Sequence, residues 1–317
     1  MTAPPAHDHA HHHDHAPAHA HAHAHAHGVP KGRAFALGLA INLAYMGVEI
    51  AAGLMAHSLA LLADAAHNAS DVLGLLAAFV AGRLALKAAT SHYTYGMRGA
   101  SILAALTNAV LLLTVTGGIA WEAMLRLFAT PHVGGATVML IAAGGILVNG
   151  GTALLFMGGQ EDINVRAAFL HLASDAAMAA ATVVAGAIIW FTHWNWVDPV
   201  ISLVVAGVII AGTWSLLRQS VAMSMDAVPE GLDAAKISAA LAAVPGVMSV
   251  HDLHVWPVST TETALTAHLV RQDPGGDSAL LAAAQHRLEE AFGIHHATLQ
   301  LESSGFDCNC AFATAAP

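Results

Sequence analysis

Two stretches of this sequence carry the same pair of side chains at the same spacing: His67 and Asp71 within Ser58 to Val80, and His171 and Asp175 within Ala167 to Trp190. Both stretches are otherwise largely apolar, with Asp64 the further acid in the first. On an α-helix an i to i+4 step overshoots one turn by about 40°, so each pair faces one way. An ionised aspartate at membrane depth costs on the order of several kcal/mol unless it meets a partner. No intramembrane Lys or Arg is placed to pair with Asp175. A divalent cation answers the problem, because two imidazoles and two carboxylates make four ligands, the tetrahedral complement that Zn²⁺ prefers. The four converge only if the two helices pack together. The plainer alternative is that each pair hydrogen-bonds within its own helix and merely holds a bundle together. Repetition of the motif at corresponding depth favours a shared ligand.

The composition calls for such helices to lie in a membrane. Of the 317 residues 56% are hydrophobic and only 10% charged, far from the usage of soluble domains. Six stretches, at about 34–55, 59–86, 99–128, 136–158, 165–192 and 198–218, are long enough for helices to cross a hydrocarbon core about 30 Å thick. The breaks between most of them are short, as up-and-down helices require. Lys31, Arg33, Arg83, Lys87, Arg98, Arg166 and Arg218 fall on one side of this arrangement, with Arg126 the exception. By the positive-inside rule both termini are expected in the cytoplasm, in a multi-pass protein of the cell membrane, the inner one if bacterial, with the lipid bilayer as its surroundings.

Beyond about Ala227 the pattern changes to a small α+β unit. Helices are expected at 230–243 and 277–292, and strands at Val247 to Val258, Thr263 to Val270 and 296–302, in the order αββαβ. The expected fold class is therefore an all-α six-helix transmembrane bundle followed by a cytoplasmic, ferredoxin-like α+β domain. Four segments result: a tail at 1–33, the bundle at 34–218, the αββαβ domain at 219–305 and a second tail at 306–317.

The first tail contains eleven histidines, His7, His9, His11, His12, His13, His15, His19, His21, His23, His25 and His27, mostly alternating with Ala. It reads as a disordered metal-binding tract, since imidazole is the common zinc ligand. It lacks the apolar core of a secretory signal. The net charge of -10 and the scatter of the eleven Lys and Arg leave no basic patch, which excludes a nucleic-acid partner. Cys308 and Cys310 are too few and too close for a disulfide framework, and a reduced tail is the simpler reading.

The same residues resemble the cation diffusion facilitator family of zinc exporters over nearly the whole chain after the His tract. The matching strings are Ser58-Leu-Ala-Leu-Leu-Ala-Asp-Ala-Ala-His-Asn-Ala-Ser-Asp71, Asn164-Val-Arg-Ala-Ala-Phe-Leu-His-Leu-Ala-Ser-Asp175 and His251-Asp-Leu-His-Val-Trp256. The resemblance implies a homodimer that exchanges cytoplasmic Zn²⁺ for protons from outside. It also places His251, His268 and Glu302 where the family has cytoplasmic metal ligands, with Gln300 at a position that can be His. Cys308 and Cys310 are candidate thiolate donors to that site. His92, near the string Tyr95-Gly-Met-Arg98, sits in a loop where some relatives bind a second metal, but Met97 and Ser101 replace residues that can be His and acidic.

Chemistry agrees with such an exchange. Histidine binds metal only as neutral imidazole, and its ordinary pKa of about 6.5 lies close to physiological pH, so protons and metal compete for the same nitrogens. Two imidazoles favour Zn²⁺, Co²⁺, Ni²⁺ or Cu²⁺ over harder ions, and Cd²⁺ stays open beside them. Glu49, Asn42, Asn68 and Asn149 read either as tuning the cavity or as polar contacts between helices. A membrane zinc sensor that binds without transporting is the main alternative, but a sensor has no need of ligands at mid-membrane. An intramembrane metalloenzyme lacks an H-E-x-x-H helix and an open coordination position, and no G-x-x-x-x-G-K-[ST] loop suggests an ATP-driven pump. Transport requires no covalent step, so an enzyme is not expected.

Overall fold

The computed structural model describes residues 33–156, 163–272 and 275–305. The His tract and the Cys308 and Cys310 tail lie outside the described residues. The membrane part comprises α1 (Arg33–Met55), α2 (Leu59–Ala85), α3 (Ala100–Arg126), α4, α5 (Ile163–Thr192) and α6 (Val197–Ser224). The fourth helix runs from Gly135–Gly145 through a π-helical turn, Ile146–Gly150, into Gly151–Phe156. Among the described residues five helices are long and apolar enough to cross a membrane, and α1 adds a shorter apolar stretch, Leu43–Met55. Leu75, Phe79, Leu103, Val204 and Val208 point outward and exposed, a surface suited to lipid and not to water.

The packing that places α2 and α5 begins at their ends. Ser58 caps α2, accepting from the Leu61 amide at 3.3 Å and donating to Asp198 Oδ1 at 2.5 Å. Asp198 Oδ2 accepts from the Leu59 amide at 2.9 Å. One buried carboxylate thus satisfies the orphan donors at the start of α2 and ties it to the first turn of α6. The α4 and α5 backbones are in near contact: a Cβ on Gly135 would sit 2.6 Å from the Trp190 nitrogen, and one on Gly186 2.6 Å from that of Met139. Small residues at such a crossing let two membrane helices pack through their backbones. Arg126, the exception to the charge pattern, is neutralised locally by Glu122 at 2.9 Å and also donates to the His57 carbonyl at 2.7 Å.

The soluble unit follows in the order α7 (Ala234–Ala242), β1 (Val247–Pro257), β2 (Thr263–Arg271), α8 (Asp277–Phe292) and β3 (His296–Ser303). The strands lie side by side in sequence order, β1 and β2 antiparallel, β2 and β3 parallel. A parallel pair requires a crossover, and α8 supplies it. Ile237, Leu241, Leu265, Leu269, Leu288 and Ile294 form the core. Two expected bounds shift by more than a residue or two. Helix α6 continues to Ser224, beyond the expected 218, and α7 starts later than 230 because Asp233 caps it, accepting from the Ala235 amide at 2.9 Å. The β1–β2 hairpin rests on the start of α3, where the Thr260 amide donates to Ser101 Oγ at 3.0 Å and Arg98 pairs with Glu262.

Candidate metal sites

The two H-x-x-x-D motifs meet. His67 and Asp71 on α2 and His171 and Asp175 on α5 each offer a donor atom, all within 4.8 Å of one another. The shortest pairings cross between helices: His67 Nε2 to Asp175 Oδ1 is 3.3 Å, and His171 Nε2 to Asp71 Oδ2 is 3.1 Å. Within each helix the separations are longer, 3.9 Å for His67 and Asp71 and 3.6 Å for His171 and Asp175. Four ligands about 2.0–2.2 Å from a tetrahedral ion stand about 3.3–3.6 Å apart, so these separations suit a Zn²⁺-sized cation at the centre. The imidazole rings meet edge to face, with centroids 5.9 Å apart.

Burial is graded across the quartet. The Asp175 side chain is 4% exposed and His67 17%, whereas Asp71 is 37% and His171 49%. Chain direction explains the grading. The α2 helix runs from its Asp198 anchor toward the loop that meets the soluble unit, and α5 runs the other way, so Asp71 and His171 are the pair nearer that unit. The quartet is closed toward the Asp198 end and more open toward the soluble one.

A second cluster forms on the sheet. His251 on β1 and His268 on β2 are directly paired, and Glu302 on β3 reaches both, at 2.8 Å from His251 Nε2 and 2.9 Å from His268 Nδ1. The Glu302 side chain is 3% exposed. Gln300 Nε2 donates to Glu302 Oε1 at 2.9 Å, so it orients the carboxylate. Two neighbours were not anticipated as part of this group: Asp252, 3.6 Å from His268 Nε2, and His254, 3.1 Å from Asp252. Strict alternation puts Asp252 on the opposite face from His251. A register irregularity between His251 and His254, with Asp252 at φ 49°, turns it back toward the histidines.

The remaining candidates are placed elsewhere. His92 is exposed, its ring 5.0 Å from that of Tyr93, and it belongs to neither cluster. Gly96, in the Tyr95-Gly-Met-Arg98 string, adopts φ 69° in a tight turn. Asn68 donates to Glu49 across α1 and α2 at 3.2 Å, and Ser70 donates to Asn108 across α2 and α3 at 3.3 Å, so these polar groups do join helices. Asn149 is buried in the π-helical turn of α4.

Residues 35–223 match the family described as cation efflux transmembrane domain, and residues 229–304 match the cation efflux protein, cytoplasmic domain. The metal cation efflux system protein CzcD of Cupriavidus metallidurans is 34% identical over 273 residues, covering 85% of this chain and 86% of that protein. Zinc transporter ZitB of Escherichia coli is 36% identical over 276 residues, 85% and 88% of the two chains. The cadmium, cobalt and zinc/H(+)-K(+) antiporter of Bacillus subtilis is 32% identical over 265 residues, 82% and 85%. Among solved structures, the metal-bound C-terminal domain of the CzcD transporter is 33% identical, covering 22% of this chain and 99% of that one, with a TM-score of 0.22.

Proposed function

Because the chain belongs to the cation diffusion facilitator family of divalent-metal efflux proteins, we propose that His67, Asp71, His171 and Asp175 carry the exported cation, Zn²⁺ foremost, and exchange it for protons. The observation that supports this most is the crossed pairing, in which each histidine stands closest to the aspartate of the other helix. At 3.1 and 3.3 Å an imidazolium N–H donates to a carboxylate, and a metal bound by those atoms must displace that proton. Proton and metal are therefore alternatives on one set of atoms. The two carboxylates balance a dication within the membrane, and loss of that cation leaves them to the protonated histidines.

The graded burial supports an inward-open arrangement, with Asp71 and His171 reached first by a cation from the cytoplasm. Rocking α2 and α5 about their anchored ends closes that path and opens the opposite one. Six spanning helices, with α1 as the sixth, and both termini in the cytoplasm fit this route. The αββαβ unit serves as the cytoplasmic dimerisation domain of a homodimer, and His251, His268 and Glu302 serve there as a metal-responsive site. The names of relatives that handle cadmium, cobalt and zinc suggest that the metal range extends beyond Zn²⁺.

Inside-out membrane vesicles test the proposal. With an acidic lumen, vesicles carrying the protein should accumulate Zn²⁺, and Asp175→Ala should reduce uptake to that of empty vesicles. Undiminished uptake by the variant rules out this assignment of the site.

A further inference from the structure

A second acidic pair lies deep between α1, α2 and α4. Glu49 is fully buried and Asp64 is 2% exposed. Neither is one of the four proposed ligands, and among the described residues no Lys or Arg pairs with either. Both Asp64 oxygens lack a hydrogen-bond partner among the described residues, and the Glu49 carboxyl lies close enough for each to act on the other. Two ionised carboxylates so placed repel each other without water to screen them, so one of them is expected to hold a proton.

The neighbours of Glu49 leave room for that proton. Tyr45 Oη lies 3.1 Å from Glu49 Oε1 and 3.0 Å from the Ile141 carbonyl. A phenol has one hydrogen, and a carbonyl can only accept. A phenol hydrogen shared between the two acceptors is one arrangement, and the other, with a full bond at each contact, has Tyr45 donate to Ile141 and a protonated Glu49 donate to Tyr45. Asn68 donates to the other Glu49 oxygen at 3.2 Å. The groups facing the pair are thus Tyr45 from α1, Asn68 from α2 and the Ile141 carbonyl from α4, while His67 on α2 and Asp175 on α5 act on Asp64 from farther off.

We propose that Glu49 and Asp64 together bind one exchangeable proton, at a site separate from the His67, Asp71, His171 and Asp175 quartet, and that a cation arriving at the quartet expels it. This rests on the quartet being the metal site. A dication one helical turn from Asp64 favours the ionised pair, and by linkage the proton held there weakens metal binding to the same extent. Each transport cycle then exchanges a proton on carboxylates in addition to those exchanged on imidazoles.

Calorimetric Zn²⁺ titration of the full-length protein, in buffers of different ionisation heat, counts the protons released per metal bound. Relative to wild type, Glu49→Gln and Asp64→Asn should each release about one proton fewer per Zn²⁺, with contributions from other metal sites cancelling in the comparison. Equal release in variants and wild type overturns this inference alone, whereas a wild type that releases no proton overturns the exchange reading as well. The infrared difference spectrum of the wild type, with Zn²⁺ minus without, is a test that no variant's folding can obscure. A protonated-carboxyl C=O band should disappear on adding metal, and a spectrum without that loss contradicts the inference.

Discussion

The quartet in the membrane and the trio on the sheet both combine two imidazoles with buried carboxylate, yet they are held in opposite ways. His251, His268 and Glu302 stand on three adjacent strands whose register is fixed by the backbone ladder, so their spacing persists as long as the sheet does. His67, Asp71, His171 and Asp175 stand on two helices that, among the described residues, share a short stretch of contact. A sheet suits a site that reports a metal; two separable helices suit one that must let it go. Surroundings differ as well. The two aspartates of the proposed transport site would have to neutralise a dication within lipid, while the sheet cluster, with Glu302 and with Asp252 3.6 Å from His268, has a water-facing side that can screen charge.

The sharpest way to break this comparison is to disable each site in turn. Asp175→Ala should abolish acid-driven uptake, whereas Glu302→Gln should weaken metal binding by the sheet and leave vesicle uptake within about threefold of wild type, since no step of the crossing uses the sheet. Loss of uptake in Glu302→Gln would instead make the sheet part of the route.

Acidity gives the next largest effect. Metal binding by the quartet requires two neutral imidazoles, so its affinity falls as pH drops through their titration. With two imidazole protons to displace, Zn²⁺ affinity should fall about a hundredfold per pH unit on the acidic side, and more steeply where the proton of Glu49 and Asp64 is displaced as well, measured by competition with a pH-insensitive indicator. A slope near zero would remove the histidines from the coordination shell.

The smallest effect is expected at the junction between the two regions. The Arg98 and Glu262 side chains are 44% and 46% exposed, so Arg98→Ala should cost below about 1 kcal/mol in unfolding measurements. If the hairpin contact at Ser101 and Thr260 transmits the state of the sheet to the bundle, the same change should weaken the influence of cytoplasmic metal on transport more than it weakens the fold.

Much of this arrangement was legible because the chemistry is local. The i to i+4 spacing alone places His67 with Asp71 and His171 with Asp175, and long apolar runs leave the membrane as their only plausible surroundings. The crossed pairing was not legible, because spacing states which side chains share a helix face and not which partner on another helix comes nearer. Asp252 escaped for a backbone reason: the irregularity that turns it toward His268 breaks the alternation from which faces are read. Asp198 escaped for a different one, since an acid in the first turn of a helix gives no sign in sequence of the other helix, α2, whose start it caps. Glu49 was visible as a polar residue in an apolar helix, but only the structure supplies Asp64, Asn68 and Tyr45 as its company.

The most direct test of the central claim is the zinc-edge X-ray absorption spectrum of protein lacking residues 1–33 and carrying His251→Ala, His268→Ala, Glu302→Gln, Cys308→Ser and Cys310→Ser. The predicted result is one Zn²⁺ per chain in a shell of two imidazole nitrogens and two carboxylate oxygens at about 2.0–2.2 Å, lost together with acid-driven uptake when Asp175→Ala is added. Zinc bound undiminished after that change, or absent before it, would contradict the account.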